Sequence, residues 1–323
     1  MRSALLVAFL ATSACASTPQ ATITADAACV LEAGDKAWLN RAPTVWPLVS
    51  KSSFKLQSPD PRVTYVLFDS QCTYTSKDAL AWTGAPHAGK VALPDGGALP
   101  PQVTSFAAPA PDGAAMMVMA LPTIWNAGGV KSDLGVERLM FAVLAHEMTH
   151  TRQFPDYGDR LDALAVASGA GEDLDDDIIQ DRFKSDAAFS AAIAREIELL
   201  FAVAAETDTA KSKALAAEAL ASIDARRKQS LSGDNAALGE LEDIFLTMEG
   251  SGQFAAFSWL SNPAGGGLDR AAAQKGLIRG KVWSQDEGLA LFMALDRLAP
   301  NWPRNVFAAQ PKSALSVLAA AIR

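Results

Sequence analysis

From Ala28 to about Gly129, apolar residues come in short runs broken by turn residues; beyond Pro155 they recur at helical spacing. Val63–Phe68 is rich in β-branched and aromatic side chains and predicts a strand. Residues 90–93 predict a strand running into the turn Pro94-Asp95-Gly96-Gly97. Residues 103–107 and 115–121 predict two more, separated by the Pro- and Gly-bearing loop at 109–113, and residues 30–40 predict a short helix. Past Pro155, alanine is frequent and β-branched residues thin out. Helices are expected near 160–168, 177–184, 187–206, 209–229, 235–260, 284–298 and 312–322. This is an α+β pattern, with a small mixed or mainly β part over 29–130 and a predominantly helical part over 131–323.

Between the two parts, Val136, Leu139, Met140, Val143 and Leu144 recur at helical spacing and lead into His146-Glu147-Met148-Thr149-His150. Ser132 and Asp133 are the candidate N-caps, and Pro155 is expected to stop the helix one turn after His150. Helix positions i and i+4 share a face, so His146 and His150 can aim two imidazole nitrogens at one point, as a tetrahedral zinc requires of its first two ligands. Glu147 projects to the side, where it can take a proton from a water the metal activates. A helix whose histidines only satisfy core hydrogen bonds is the bland alternative. The paired histidines with a glutamate between them argue against it.

Composition adds export and charge. An apolar run from Ala4 to Ala11 after Arg2 has the form of a signal peptide over 1–16. Two cleavage readings compete: Ala14-Cys15-Ala16 suits signal peptidase, and Thr12-Ser13-Ala14-Cys15 has the form of a lipoprotein box. In the second reading Cys15 is lipidated and is the only membrane attachment. Residues 17–28 then act as a flexible linker. Both routes export the protein, to the periplasm, the cell envelope or the medium. In an oxidising compartment Cys29 and Cys72 are an even pair, and a disulfide between them is expected. The net charge of −8, with no basic aromatic-laced stretch, argues against a nucleic-acid partner. The acidic run Glu172–Asp177 lacks the glycine and terminal glutamate of an EF-hand loop and reads as a solvated helix start.

A catalytic zinc site needs a third protein ligand. His87, the one other histidine, is flanked by turn residues, and Asp156 stands beside Pro155 without the glycine that would turn the chain back under the metal. The later helices offer Glu196, Glu198, Glu206, Glu240, Glu242, Glu249 and Glu287. Glu249 stands out because apolar stretches flank it, and a buried carboxylate needs a partner such as a metal. The small residues Gly250-Ser251-Gly252 would let its helix pack close to the motif helix. Glu287, also followed by glycine, is the second choice, with a helix N-terminal acid behind Ser284 as its bland reading.

His146-Glu147-Met148-Thr149-His150 with Glu249-Gly250 and Phe254 resembles the gluzincin class of zinc metallopeptidases, over two helices rather than the whole chain. The resemblance implies a zincin-like fold, Zn2+ held by His146, His150 and Glu249, and Glu147 as general base in peptide-bond hydrolysis. It also implies a peptide or protein substrate lying along a sheet edge, for which residues 116–121 are the expected strand. The oxyanion donor stays open between Tyr157 and Arg152, and Gln153 is a candidate to orient a ligand. The rival expectation is a zincin-fold binding or envelope-structural protein without catalysis. A purely structural zinc site, however, has no need of Glu147.

Overall fold

The computed structural model describes residues 21–57, 60–171, 174–278, 280 and 282–323. The signal and lipidation readings over 1–16, including Cys15, lie outside them. So do Glu172 and Asp173 of the acidic run.

The N-terminal part builds one six-stranded sheet. In chain order its strands are β1 (Thr22–Ala25), β2 (Val63–Phe68), β3 (Cys72–Ser76), β4 (Ala81–Pro86), β7 (Ser105–Ala110) and β8 (Ala114–Ala120). Their spatial order is β1-β4-β3-β2-β8-β7, and β5 (Val91–Ala92) and β6 (Ala98–Leu99) form a separate small hairpin. Helices α1 (Ala33–Arg41) and α2 (Val45–Leu48) precede β2, and α3 (Pro122–Ala127) follows β8. The α+β architecture is therefore as the apolar pattern indicates.

Three details correct it. Thr22–Ala25, inside the expected linker over 17–28, is a strand paired in parallel with β4. Its Thr-Ile-Thr sequence suits an extended backbone, and the neighbouring ladder binds it. Strands β3, Cys-Thr-Tyr-Thr-Ser, and β4, which carries Gly84, are short and were not expected from the apolar runs. At Gly84 the chain passes so close to Tyr74 that an added Cβ would lie 2.9 Å from the ring. The expected edge strand is the third. Residues 116–121 fall mainly in β8, which is paired with β2 on one side and β7 on the other. The sheet's edges are β1 and β7, and β7, next to β8, tolerates Pro109 because an edge strand need not donate from every residue.

The helical part runs α4 (Val136–Ala167), α5 (Ile178–Phe183), α6 (Ala187–Ala205), α7 (Thr209–Ser230), α8 (Ala236–Ser261), α9 (Arg270–Leu277), α10 (Trp283–Leu298), α11 (Pro303–Val306) and α12 (Ala314–Ile322). Helix α4 is capped by Gly135, at φ 79°, and not by Ser132 or Asp133. It also runs unbroken for 32 residues through Pro155. Proline removes one backbone donor from a helix but need not end it. Here the ring is exposed, and Tyr157 and Leu164 keep the buried stripe going beyond it.

Two apolar clusters result. The larger joins the sheet to the first half of α4, the second half of α8 and α10, and includes Phe141, Met148, Phe254 and Phe292. The smaller gathers Tyr157 and Leu164 of α4, Phe189 and Ile193 of α6, and Leu241, Ile244 and Met248 of α8. Helices α4 and α8 pass through both.

The expected disulfide is present. Cys29 and Cys72 are bonded at a Cα–Cα distance of 5.7 Å across 43 residues of sequence. It ties the segment ahead of α1 to the first residue of β3 and points to an oxidising, non-cytoplasmic location. Among the described residues no helix is long and apolar enough to cross a membrane. Closing a loop of this length restricts the unfolded chain, so the Cys29→Ser, Cys72→Ser double variant should lose about 4 kcal/mol of stability. Denaturant titration of both forms, each assayed without reductant, measures that loss.

Candidate metal centre

The i, i+4 spacing on α4 places His146 and His150 one turn apart on the face turned to α8. Their rings meet edge to face, with Nε2 of one 2.8 Å from Nε2 of the other. Glu249 of α8 spans them, with Oε2 at 3.2 Å from His146 Nε2 and Oε1 at 3.2 Å from His150 Nε2. Among the described residues, these three form the one group of at least three His, Cys, Asp or Glu side chains whose ligand atoms converge within 4.8 Å. All three are buried. Zinc ligands about 2.1 Å from a tetrahedral ion stand roughly 3.4 Å apart, so slight spreading of these atoms admits one. The donor set fits a divalent metal.

A chain of hydrogen bonds fixes one ligand's tautomer. Ser251 Oγ donates to the Met248 carbonyl and so can only accept from Gln153 Nε2, 2.8 Å away. The Gln153 amide is thereby oriented with Oε1 toward His150 Nδ1, at 3.0 Å. His150 must donate from Nδ1, which leaves the Nε2 lone pair of the neutral ring facing Glu249 and His146. Gln153 is the orienting partner that its position three residues after His150 predicts. Ser251, which holds Gln153, was not legible in the sequence.

Glycines set the approach of the helices. An added Cβ at Gly252 would stand 2.8 Å from the His146 ring, so any side chain there displaces the ligand. Gly250 serves a different contact from the one expected. It faces α10, where its added Cβ would lie 2.7 Å from the Gly288 carbonyl. Phe254 of the resemblance stacks in the core against Phe54 and meets Trp302 edge to face.

The other candidate ligands are used elsewhere. Glu196, Glu242 and Glu287 surround the buried Arg226 of α7, at 2.7, 2.6 and 3.9 Å. Arg227 also pairs with Glu242, and burial, with Glu196 and Glu242 adding to it, lifts Glu287 to about 8 against the pull of Arg226 and Arg227. Glu198 and Glu240 are exposed. His87 is buried, not on the surface. It accepts from the Gly89 N–H at Nδ1 and so donates from Nε2 to the Asp69 carbonyl. Asp156 is not part of the converging group. Of the acidic run, Asp176 is not solvated as expected. It is half-buried beside Ser284, and burial first, then Glu249, raises it to about 7.

Burial opposes a charge on His150, yet the Glu249 carboxylate and its hydrogen bond, with Glu147 behind them, lift the ring to about 9. The same pairing, against the cost of burial, holds the Glu249 carboxyl far below its ordinary range. Raised above its ordinary 6.5, the His150 charge contributes stability to the metal-free fold that is full below that pH and is lost as pH rises through about 9. A metal must displace this proton. Zinc titrated into chelator-stripped protein at neutral pH should therefore release about one proton, and zinc affinity should climb with pH up to about 9. Calorimetry in buffers of different ionisation heat counts the proton.

His146 and Glu147 open onto a cleft of about 260 Å3, bounded by Ser105 of β7, Gln253 of α8, Leu277 of α9 and Gln285 of α10. Neither Tyr157 nor Arg152 lines it. Tyr157 is buried in the smaller cluster, and Arg152 stands 3.6 Å from Asp60. Gln253, Gln285 and Ser105 were not singled out by sequence. Only Gln253 left a signal: it lies four residues after Glu249 and so on the same helix face. Compared with known proteins, the chain matches no family model, no curated protein and no solved structure.

Proposed function

We propose that the protein is an exported, zinc-dependent metallopeptidase of the gluzincin type, with His146, His150 and Glu249 as metal ligands and Glu147 as general base. The observation that carries this reading is the convergence of the three ligand atoms next to Glu147 in an open cleft. A closed structural site has no use for a neighbouring carboxylate or for open space.

A metal held there supplies electrophilic polarisation of the scissile carbonyl and acidifies a water. Glu147 takes a proton from the attacking water and returns it to the amine nitrogen as the C–N bond breaks. Gln153 keeps His150 in its ligating tautomer throughout. The substrate lies along β7, whose unpaired edge leads to Ser105 at the cleft, and is held there by strand addition.

The test is metal content of the purified mature chain beside peptide-library cleavage, with Glu147→Gln as control. About one zinc per chain and cleavage that only the wild type performs support the reading. Stoichiometric zinc with no cleavage of any peptide favours the non-catalytic binding protein. Failure to hold zinc after add-back sinks both.

A further inference from the structure

One polar atom in the cleft is left without a partner. Gln253 lies one turn beyond Glu249 on α8, is nine-tenths buried, and donates from Nε2 to Gln285 Oε1 at 2.8 Å. With Nε2 turned to Gln285, its Oε1 is buried and accepts from nothing among the described residues. A buried acceptor left unmet is costly, and a cleft wall is where an incoming donor can meet it. Apolar side chains also line the cleft: Leu139, Ala142 and Val143 of α4, Ala256 of α8 and Leu277 of α9, beside the polar Ser105 of β7. The titratable side chains in this lining are Glu147 and the ligand His146.

We infer that Gln253, oriented by Gln285, reads a backbone N–H of the substrate, and that the residue held beside it carries an uncharged side chain. This rests on the metallopeptidase reading and names its substrate class. Gln253 Oε1 accepts the substrate amide proton, and no covalent change occurs at this residue. The apolar wall receives the adjoining side chain. A carboxylate there would be desolvated next to Glu147, and an ammonium would give up its water against apolar side chains. Gln285 is a positioning residue, because its carbonyl decides which way the Gln253 amide faces.

The probes are three peptidyl hydroxamates bearing leucine, aspartate or lysine, with a depsipeptide version of the leucyl probe in which the N–H is an ester oxygen. Their affinities for the zinc-loaded full chain are measured by calorimetry. The variants are Gln253→Met, which keeps the side-chain length, and Gln285→Met, each checked for zinc content and circular dichroism. The leucyl probe should bind about tenfold or more tighter than either charged probe, and Gln253→Met should weaken it by roughly tenfold, the worth of one hydrogen bond. Gln253→Met should leave the ester probe nearly unchanged, and Gln285→Met should show the same contrast more weakly. Equal affinity for all three side chains overturns the inference. So does equal loss for amide and ester, or absence of binding by any probe. If the leucyl probe binds with the expected amide-against-ester contrast and no peptide is cleaved, the peptide contact at Gln253 is upheld as a binding contact and the catalytic part of the reading fails.

Discussion

Glu249→Ala is expected to come off purification with no zinc, where the wild type holds about one ion. Two histidines alone cannot fix a tetrahedral ion, and the deleted carboxylate touches both of them at 3.2 Å. The loss in affinity should go well beyond the 10–100-fold that removal of an outer hydrogen-bond partner costs. Glu249→Gln separates charge from shape: it keeps the volume of the side chain, and it too should fail to retain zinc through dialysis. Glu287→Gln is the internal control. That side chain belongs to the Arg226 cluster, so the variant should keep its metal. Metal retention by Glu249→Ala, or metal loss from Glu287→Gln with the fold intact, would remove Glu249 from the site.

Glu147→Gln should behave in the opposite way, holding zinc as tightly as the wild type and losing turnover. Glu147 lines the cleft beside His146 and is not one of the three converging ligands, so the amide leaves the metal group unchanged. What disappears is the transfer of a proton from water to the leaving nitrogen, typically worth 10²–10⁴-fold in kcat. Single-turnover cleavage with matched zinc content is the measurement. A variant that loses zinc in proportion to activity would move Glu147 from base to structural support.

Much of this centre could be read from the chain, and the reasons are local. Helical spacing alone brings His146 and His150 together, and burial of a carboxylate among apolar neighbours alone marks Glu249. The same burial argument also applies to Glu196, Glu242 and Glu287. Nothing in sequence showed that Arg226, far along the chain, would compensate them. Ser251, Gln285 and Ser105 were illegible for the same reason, since they act through contacts made only in three dimensions.

The errors in the fold have physical causes too. Pro155 was weighed as a stop signal, but burial of Tyr157 and Leu164 outweighs one missing backbone bond. The choice of edge strand reversed two signals that were present. A continuous apolar run such as Ala115–Leu121 belongs to a strand covered on both faces, and a proline within 105–110 belongs to an edge. Strands β3 and β4 are specified by pairing with neighbours, which a single-strand pattern does not carry.

Helices α4 and α8 each pass from one apolar cluster to the other, and the metal ligands sit where they cross over. An ion bound there is therefore a clasp between two units that could otherwise open separately. Its removal should show in the smaller cluster as a whole, with amide exchange quickening together along the far half of α4, the near half of α8 and the first half of α6. The larger cluster, anchored on the sheet, should keep its slow exchange. Metal supply would then govern how long one end of the molecule survives a protease, quite apart from whether the cleft is working.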